Sequence, residues 1–353
     1  MPMEGQMPPE ELSTAHPDSA PVYALAFDVG GTDTKVAFVS NRGSLVKLPT
    51  LPTSTGGAVG LIAQINDQYL QIQQALRQGK IRDADGTALP VARVCQAVGV
   101  GVPGVMVEDT GMTITSANLG WGRFPMRDRL EEALGCSLAL GHDVRSGALG
   151  EALFTGRKEC FFVAIGTGIS AGIVLNGQVL NRSGFSGEIG QILLPNPDLN
   201  YLGKATAPIP AQATHLPLER IASAEYTARR YALLKGLSPE TARPTSRDVF
   251  QREREGDQCA HHVIETATQA LGVVLAASLA TLGDLEVIVG GGQSQEGPDY
   301  LERLRQATAT HLVNLPEPKF SLSRFGSQAQ LLGVAAQAFA KAQVPIVPLT
   351  RPS

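Results

Sequence analysis

Asp28-Val29-Gly30-Gly31-Thr32 separates two apolar runs rich in strand-forming residues, Val22–Phe27 and Val36–Val39. This pattern predicts a strand, a tight glycine turn and a second strand. The glycines permit positive φ and close approach of a ligand, so the turn can present amide N–H groups to phosphate oxygens. Asp28 can hold a magnesium ion there, directly or through water. A plain hairpin turn, the alternative, needs neither this carboxylate nor two glycines followed by a threonine.

A second unit of the same design follows later in the chain. Phe161–Ile165 is apolar, Gly166-Thr167-Gly168 forms the turn, and Ala171–Leu175 resumes a strand. Two such units in one chain predict a duplicated architecture whose halves face each other. The pair is stronger evidence for phosphate binding than either turn alone.

The bulk composition is that of an ordinary globular protein, with 43% hydrophobic and 18% charged residues among 353. A chain of this length predicts two domains. The net charge is −4, and the sequence contains no run of Lys and Arg that could track phosphates. We therefore expect no nucleic-acid partner.

The cysteines and apolar segments bear on the cellular compartment. Cys95, Cys136, Cys160 and Cys259 are scattered without a CxxC or Cys/His cluster, which argues against disulfides and a cysteine-built zinc site. This usage fits a reducing cytosol, so we expect a cytoplasmic protein. The first twenty residues lack the basic start and apolar core of a signal peptide. Leu271–Leu282 is too short to span a bilayer and is typical of part of a buried helix, so no membrane partner is expected.

Asp143 is the strongest candidate for a catalytic residue. It follows a short predicted strand and begins a predicted helix, where free N–H groups and the helix dipole stabilise a carboxylate. A plain helix N-cap is the alternative role. Beside two phosphate turns, this carboxylate can instead accept the proton of a substrate hydroxyl as that oxygen attacks a γ-phosphate.

Other candidates are weaker when taken from the residues alone. His142 can bind a polar ligand or serve as a structural histidine, and isolated glutamates such as Glu188 and Glu219 are usually surface residues. Gly290–Gly292 follows a predicted strand and can cradle a nucleotide or form a permissive turn. Gly99–Gly104 matches GxGxxG, but a β-branched run follows where a dinucleotide-binding helix would begin. A glycine-rich wall of a cleft is therefore favoured for this segment.

Taken in order, these motifs resemble the ROK family of bacterial sugar kinases and repressors. The resemblance extends from Tyr23 to Ala342. It implies an actin-like ATPase (ribonuclease H-like) fold, with two α/β domains around a cleft, and ATP-dependent phosphorylation of a hexose. The segments that carry it are Asp28–Thr32, Gly99–Gly104, Asn118–Trp121, Asp143 with Gly150-Glu151, Gly166–Gly172, Gly187–Gly190 and Gly290–Gly292.

The resemblance also implies roles at the matching positions. Asp143 matches the family's catalytic base, and Asp28 matches the aspartate associated with Mg²⁺. The residues expected to bind ATP are Asp28, Gly30, Gly31, Thr32, Gly166, Thr167, Gly168, Gly290, Gly291 and Gly292. The residues expected to bind the sugar are Gly104, Asn118, His142, Glu188, Gln191 and Glu219.

The same resemblance divides the chain into domains. Residues 22–138 with 328–343 are expected to form a smaller α/β domain that holds the first phosphate loop. Residues 139–327 are expected to form a larger α/β domain with the catalytic aspartate, the second phosphate loop and the adenosine region. Residues 1–21 are predicted to be a disordered leader and residues 344–353 a loose tail.

Three departures from the family pattern affect the sugar and metal sites. His142 stands where the family usually has Asn, and Gln191 stands where it usually has a zinc-ligating, sugar-contacting His. Glutamine and imidazole both hydrogen-bond hydroxyls, but with different reach. The segment expected to carry the zinc motif, Asn196–Pro217, has no cysteine, so no zinc site is expected. The repressors' winged helix is not expected either, because only about twenty residues precede the first strand.

The leading hypothesis is a zinc-independent sugar kinase in which Asp143 deprotonates a hexose hydroxyl, expected to be O6 of glucose or a related hexose. The runner-up is a non-catalytic sugar or nucleotide sensor, which His142 and Gln191 motivate and the retained Asp28 and Asp143 oppose. A polyphosphate-using glucokinase is a third hypothesis, although the composition offers no obvious basic groove for a long polyanion. A homodimer is expected by resemblance alone.

Overall fold

The computed structural model describes residues 20–83, 85–116, 119–199, 214–237 and 244–349. Within these ranges, helices and strands are interleaved in an α/β arrangement, as predicted. The strands are β1 (Tyr23–Val29), β2 (Asp33–Ser40), β3 (Leu45–Lys47), β4 (Leu51–Pro52), β5 (Val94–Val102), β6 (Val105–Val107), β7 (Met112–Thr115), β8 (Phe124–Pro125), β9 (Leu138–His142), β10 (Cys160–Ile165), β11 (Ile169–Leu175), β12 (Gln178–Val179), β13 (Leu193–Pro195), β14 (His215–Pro217), β15 (Val287–Gly290) and β16 (Phe320–Leu322). The α-helices are α1 (Gly57–Arg77), α2 (Met126–Leu134), α3 (Asp143–Phe154), α4 (Leu218–Ala222), α5 (Ala224–Leu234), α6 (Ser246–Arg254), α7 (Gln258–Leu282), α8 (Pro298–Ala309) and α9 (Ala329–Lys341).

The first sheet has the strand order β3-β2-β1-β5-β9, with β4 paired to β2. Every residue of β1 is buried, and β1 runs antiparallel to β2, so the first predicted strand–turn–strand unit is present. β1, β5 and β9 run parallel: Asp28 lies opposite Gly101, and Val102 lies opposite His142. The carboxyl ends of these strands therefore meet at one edge of the sheet, although they come from distant parts of the sequence.

The second sheet repeats this topology with the order β12-β11-β10-β15-β16. β10 and β11 form the second predicted hairpin around Gly166-Thr167-Gly168, and β15 and β16 add to β10 in parallel. Each sheet is thus an antiparallel meander that continues into two parallel strands. This repeat confirms the duplication that the two glycine turns predict.

Helices α3 and α9 lie between the two sheets and pack closely on each other. α9 contacts β1, β5 and β9, whereas α3 contacts β10 and β11. The close approach depends on glycine, because a Cβ atom at Gly333 would overlap the carbonyl oxygen of Ser146, and one at Gly150 would overlap that of Ala329. The start of α3, where Asp143 lies, is therefore held in place by both halves of the molecule.

Helix α7 forms the centre of the core beside the second sheet, and its residues Leu271 and Leu275 are fully buried. By length and composition alone, it is the one helix among the described residues that could cross a membrane. More than half of its most apolar window is buried inside the protein. Burial explains its apolar composition and agrees with the predicted core role of Leu271–Leu282.

Two features of the fold differ from simple sequence expectations. Residues 218–234 form two helices instead of one continuous helix, because the hydroxyl of Ser223 accepts the N–H of Tyr226 and begins α5. Strand β9 runs across the predicted domain boundary between residues 138 and 139, because its pairing with β5 extends to His142. The two-domain division itself stays a prediction.

The structure describes most of the C-terminal tail but almost none of the N-terminal leader. The predicted leader, 1–21, falls almost entirely outside the described residues. Residues 344–349 of the predicted loose tail are instead anchored to the body of the protein: the N–H of Val347 donates to the carbonyl of Asn41, and that of Leu349 to the carbonyl of Phe154, each at 2.8 Å. A proline-rich composition does not reveal such long-range backbone partners, which only the fold supplies.

Candidate active site

Asp28 is the penultimate residue of β1, at the edge where the carboxyl ends of the three parallel strands meet. Its side chain is almost fully buried, and Nζ of Lys35 on the neighbouring strand donates to its Oδ2 over 3.4 Å. Burial raises the pKa of Asp28, while the Lys35 charge and hydrogen bond oppose that rise. Lys35 also donates to the carbonyl of Ser327 at 3.2 Å, which links the first glycine turn to the segment before α9.

The first glycine turn is compact and open to solvent on its outer side. The N–H of Gly30 donates to the carbonyl of Asp33 at 2.9 Å, and Thr53 holds the turn from behind through the carbonyls of Gly30 and Thr32. Gly31 and Thr32 are exposed. The turn is therefore rigid in its backbone and accessible to a ligand, as a phosphate loop requires.

The second glycine turn has the same character. The N–H of Gly166 donates to the carbonyl of Gly168 at 3.0 Å, while Thr167 and Gly168 are exposed. Gly291 has φ +80°, and a Cβ there would overlap the carbonyl of Ile165, so Gly290–Gly292 lies directly against this turn. The structure thus brings two of the three predicted nucleotide segments into contact.

A large cavity of about 780 Å³ opens beside Thr167. Its walls come mainly from α5 and from residues between α5 and the start of α6. Its lining residues are Thr167, Ala224, Glu225, Ala228, Arg229, Ala232, Leu233, Leu237, Pro244, Thr245 and Ser246. None of Gly290, Gly291 and Gly292, which are predicted to border adenosine, lines it. Sequence reasoning missed these helical walls, because nothing in their composition indicates that they face a glycine turn.

Asp143 begins α3 at the same edge as Asp28. Its Oδ1 accepts the N–H of Val144 at 2.8 Å, and about a quarter of the side chain remains exposed. Burial, and then the negative charge of Asp28, raise the pKa of Asp143 to about 7, against the opposing effect of the Val144 hydrogen bond. A carboxyl group with a pKa near neutrality is suited to take up a proton during a reaction.

His142 is the N-cap of α3, and its imidazole is buried. Nδ1 accepts the N–H of Arg145 at 3.4 Å. Burial, and then the Arg145 cation, hold the pKa of His142 well below its ordinary value, so the ring is neutral. Nδ1 also lies 3.1 Å from Oδ1 of Asp143, and Nε2 lies 3.7 Å from Oε1 of Glu188, so the neutral ring stands between two carboxyl groups.

Glu188 approaches His142 from the loop that follows β12. The preceding residue, Gly187, has φ +90°, and a Cβ there would collide with the carbonyl of Ala171. The loop therefore lies flat against β11, with the N–H of Ala171 donating to the carbonyl of Gly187 at 2.7 Å. Burial raises the pKa of Glu188, and the charge of Glu219 adds to this effect.

The structure gives different surroundings to the remaining residues that are predicted to bind the sugar. Gly104 has φ +100° and packs against Thr115, and Asn118 lies outside the described residues. Glu219, in the first turn of α4, approaches the second glycine turn, since a Cβ at Gly168 would be 3.3 Å from its Oε2. Gln191 is exposed at the end of the short 3₁₀ turn Ile189–Gln191.

The structure adds charged residues that the motif reading missed, namely Lys35, Glu108 and Arg145. The Arg145 guanidinium is fully buried and pairs with Glu108, whose carboxylate also contacts the backbone of His142. The only available signal was an arginine within the otherwise small and apolar first turns of α3. Its partners cannot be read from the sequence.

The residues present suit a hard cation better than a softer one. Asp28 offers carboxylate oxygens beside two glycine turns, which matches a Mg²⁺ ion shared with phosphates. Among the described residues, no group of three or more His, Cys, Asp or Glu side chains is arranged to hold a metal ion by itself. A cation at Asp28 would therefore need ligand oxygens from the nucleotide and water.

Comparison with known proteins supplies independent information. The sequence model of the ROK family matches residues 24–341. The chain is 28% identical over 324 residues to a glucokinase of Halalkalibacterium halodurans, with 88% of this chain and 93% of the relative covered. It is 24% identical to an N-acetylmannosamine kinase of Salmonella typhi, with 88% of this chain and 96% of the relative covered.

Solved structures agree on the architecture. A ROK hexokinase from Thermus thermophilus has a TM-score of 0.70 at 25% identity, with 91% of this chain and 99% of that chain covered. A ROK family glucokinase from Streptomyces griseus, in complex with glucose and AMPPNP, has a TM-score of 0.66 at 22% identity, with 90% and 99% covered. These likenesses confirm the predicted actin-like ATPase fold.

Proposed function

Because the chain belongs to the ROK family, we propose that it is an ATP-dependent sugar kinase in which Asp143 is the general base. One observation carries this proposal: the carboxyl group of Asp143, with a pKa near 7, lies at the same sheet edge as Asp28 and the first glycine turn. The relatives named as glucokinase and N-acetylmannosamine kinase support sugar phosphorylation as the reaction class.

The nucleotide side of the site follows from the two glycine turns. Gly30, Gly31 and Thr32 would hold phosphate oxygens from one side, and Gly166, Thr167 and Gly168 from the other. The adenosine would occupy the cavity beside Thr167, on the glycine turn against which Gly290–Gly292 pack. Mg²⁺ associated with Asp28 would supply charge stabilisation for the transferring phosphoryl group.

On the sugar side, we assign complementary hydrogen-bonding roles. We assign the hydrogen of the neutral His142 ring to Nε2, so that His142 donates and Glu188 accepts, and one hydroxyl can bridge the two groups. Gly104, Asn118, Gln191 and Glu219 complete the proposed sugar set. Asp143 accepts the proton of the attacking hydroxyl, O6 in glucose, as the new O–P bond forms and ADP leaves.

Zinc has no part in this proposal. The segment where the resemblance implies a zinc motif instead includes Asp198, which forms a buried ion pair with Arg230 and contacts His262. We propose a cytoplasmic enzyme that acts on small molecules, with no nucleic-acid or membrane partner, and a homodimeric assembly.

The proposal is tested by measuring ADP release with Mg²⁺ and ATP over a panel of hexoses and N-acetylated amino sugars. Phosphorylation of one sugar in the panel, insensitive to a zinc-selective chelator, is the expected result. Binding of a sugar, without ADP release in the presence of any sugar of the panel, would instead favour the sensor hypothesis. A parallel assay with polyphosphate identifies the donor, and activity with polyphosphate alone would overturn the role of ATP.

A further inference from the structure

Arg145 is unusual both in its position at the start of a helix and in its burial. It lies in the first turn of α3, where the helix dipole disfavours a cation, and its side chain is 1% exposed. Burying an unpaired guanidinium is strongly unfavourable, so such a residue persists only where its partners are fully arranged around it. A violation of this kind beside a reactive carboxylate indicates a functional constraint.

The partners of Arg145 come from two distant parts of the chain. Its Nε donates to Oε1 of Glu108 at 3.1 Å, just beyond strand β6. Its Nη1 donates to the carbonyls of Gly184 and Ser186, each at 3.2 Å, in the loop that carries Glu188. The planar, forked guanidinium can donate hydrogen bonds to all these acceptors at once, whereas the single ammonium group of lysine cannot.

Glu108 completes the arrangement from the opposite direction. Its Oε1 also accepts the backbone N–H of His142 at 3.0 Å, and its Oε2 accepts Nδ2 of Asn181 at 3.0 Å. Asn181 in turn accepts the N–H of Gly184 at 3.1 Å through its side-chain oxygen. One carboxylate thus joins the end of β9, the start of α3 and the beginning of the 181–188 loop.

We infer that the Arg145–Glu108 pair is a positioning device for the acceptor-sugar site: it fixes the loop bearing Glu188 relative to the turn bearing His142 and Asp143. The pair touches neither the glycine turns nor the lining of the cavity beside Thr167. It should therefore govern sugar binding and leave nucleotide binding unchanged. The kinetic part of this inference rests on the proposed kinase function, and its structural part does not.

The chain offers a matched control in Arg157. This arginine forms a two-bond ion pair with Glu286, at 2.9 and 3.1 Å, in the same half of the molecule, and it contacts none of the candidate site residues. Arg157→Met therefore removes an arginine–glutamate pair, although a more exposed one, without changing the 181–188 loop. The test variants are Arg145→Met and Glu108→Gln, with Arg145→Lys as the conservative replacement.

Steady-state kinetics form the first measurement. Arg145→Met should lower kcat/KM for the sugar by roughly 10- to 100-fold, the scale expected for groups displaced by about 1 Å. The loss should come mainly through KM, because the displaced loop bears the sugar-binding Glu188. KM for ATP should stay within about twofold of the wild type, and Arg145→Lys should recover part of the loss because it restores only the charge. Glu108→Gln should move the sugar KM in the same direction. Equal sugar KM values for Arg145→Met and Arg157→Met would overturn the inference.

Hydrogen–deuterium exchange is the second measurement and needs no activity. Backbone amides of residues 181–189 should exchange about tenfold faster or more in Arg145→Met and Glu108→Gln than in Arg157→Met. Unchanged exchange in this segment overturns the inference even if activity falls. A wild-type protein that phosphorylates no sugar refutes the proposed function, and the exchange measurement then decides the positioning role alone. If either Arg145→Met or Glu108→Gln fails to fold, the other variant still tests the inference.

Discussion

Nε2 of His142 lies 3.7 Å from Oε1 of Glu188. The two groups reach this separation from the end of β9 and from a loop packed on β11, so the fold alone brings them together. The distance is too long for a good hydrogen bond, yet one ligand hydroxyl can lie within bonding distance of both atoms. A neutral donor and a carboxylate acceptor would then both hydrogen-bond to the same oxygen.

A double-mutant cycle tests this shared contact. His142→Ala and Glu188→Gln should each raise the sugar KM, and the double variant should lose less than the sum of the two. We expect a coupling energy of about 0.5–3 kcal/mol, the range for residues that act on one group. The measurement is kcat/KM for the best sugar of the panel. Strict additivity would show that the two side chains bind separate parts of the ligand.

Replacement of the proposed base should affect the chemical step alone. Asp143→Asn keeps the size of the side chain but cannot accept the proton, so kcat should fall roughly 10²- to 10⁴-fold. Nucleotide affinity, measured by calorimetry, should stay the same. Asp128→Asn is the control, because Asp128 also lies in the first turn of a helix but away from the site. Near-normal turnover of Asp143→Asn would remove Asp143 from this role.

The raised pKa of Asp143 predicts an acid limb in the pH profile. The group must be ionised to accept a proton, and its pKa is raised to about 7 by burial and by Asp28. The protonated, inactive form therefore persists to higher pH than for an ordinary aspartate. Between about pH 9 and about pH 5, kcat/KM should be constant above the pKa and then fall about tenfold per unit below it. Residual activity of Asp143→Asn should lack this limb, and a flat wild-type profile would contradict the assignment.

The Asp198–Arg230 pair should contribute strongly to stability. Both side chains are 5% exposed, and two hydrogen bonds of 2.7 Å join them. Asp198→Asn leaves the buried guanidinium without its counter-charge, which should cost about 3–5 kcal/mol in unfolding free energy. The exposed Asp284–Lys319 pair is the control, and Asp284→Asn should cost about 0–1 kcal/mol. Urea denaturation compares the two variants, and equal losses would refute the prediction.

Gly187 and Gly256 form a matched pair for the effect of close packing. Their φ values are +90° and +92°, but a Cβ at Gly187 would collide with the carbonyl of Ala171, whereas the space around Gly256 is open. Gly256→Ala should cost about 1 kcal/mol from backbone strain alone. Gly187→Ala should cost more in urea denaturation and should also raise the sugar KM, because Glu188 must move with the loop. Similar behaviour of the two variants would indicate that the loop tolerates displacement.

The sequence predicted the frame of the molecule well, for identifiable reasons. Apolar runs flanking the two glycine turns indicate hairpins by local pattern alone, and the structure contains both as β1–β2 and β10–β11. The roles of individual site residues stay predictions. Arg145, Glu108 and the walls of the cavity beside Thr167 were missed, since their partners lie far away in the chain.

The sequence by itself therefore determined the two glycine turns, the duplicated α/β architecture and the family, because these depend on contiguous residues with a characteristic order. Tertiary structure alone decided that Asp28 and Asp143 share one sheet edge, that His142 is neutral and that Arg145 is buried on Glu108. The physical reason is that burial and charge proximity depend on distances through space. Parallel pairing of β1, β5 and β9 sets those distances, and no local pattern encodes them.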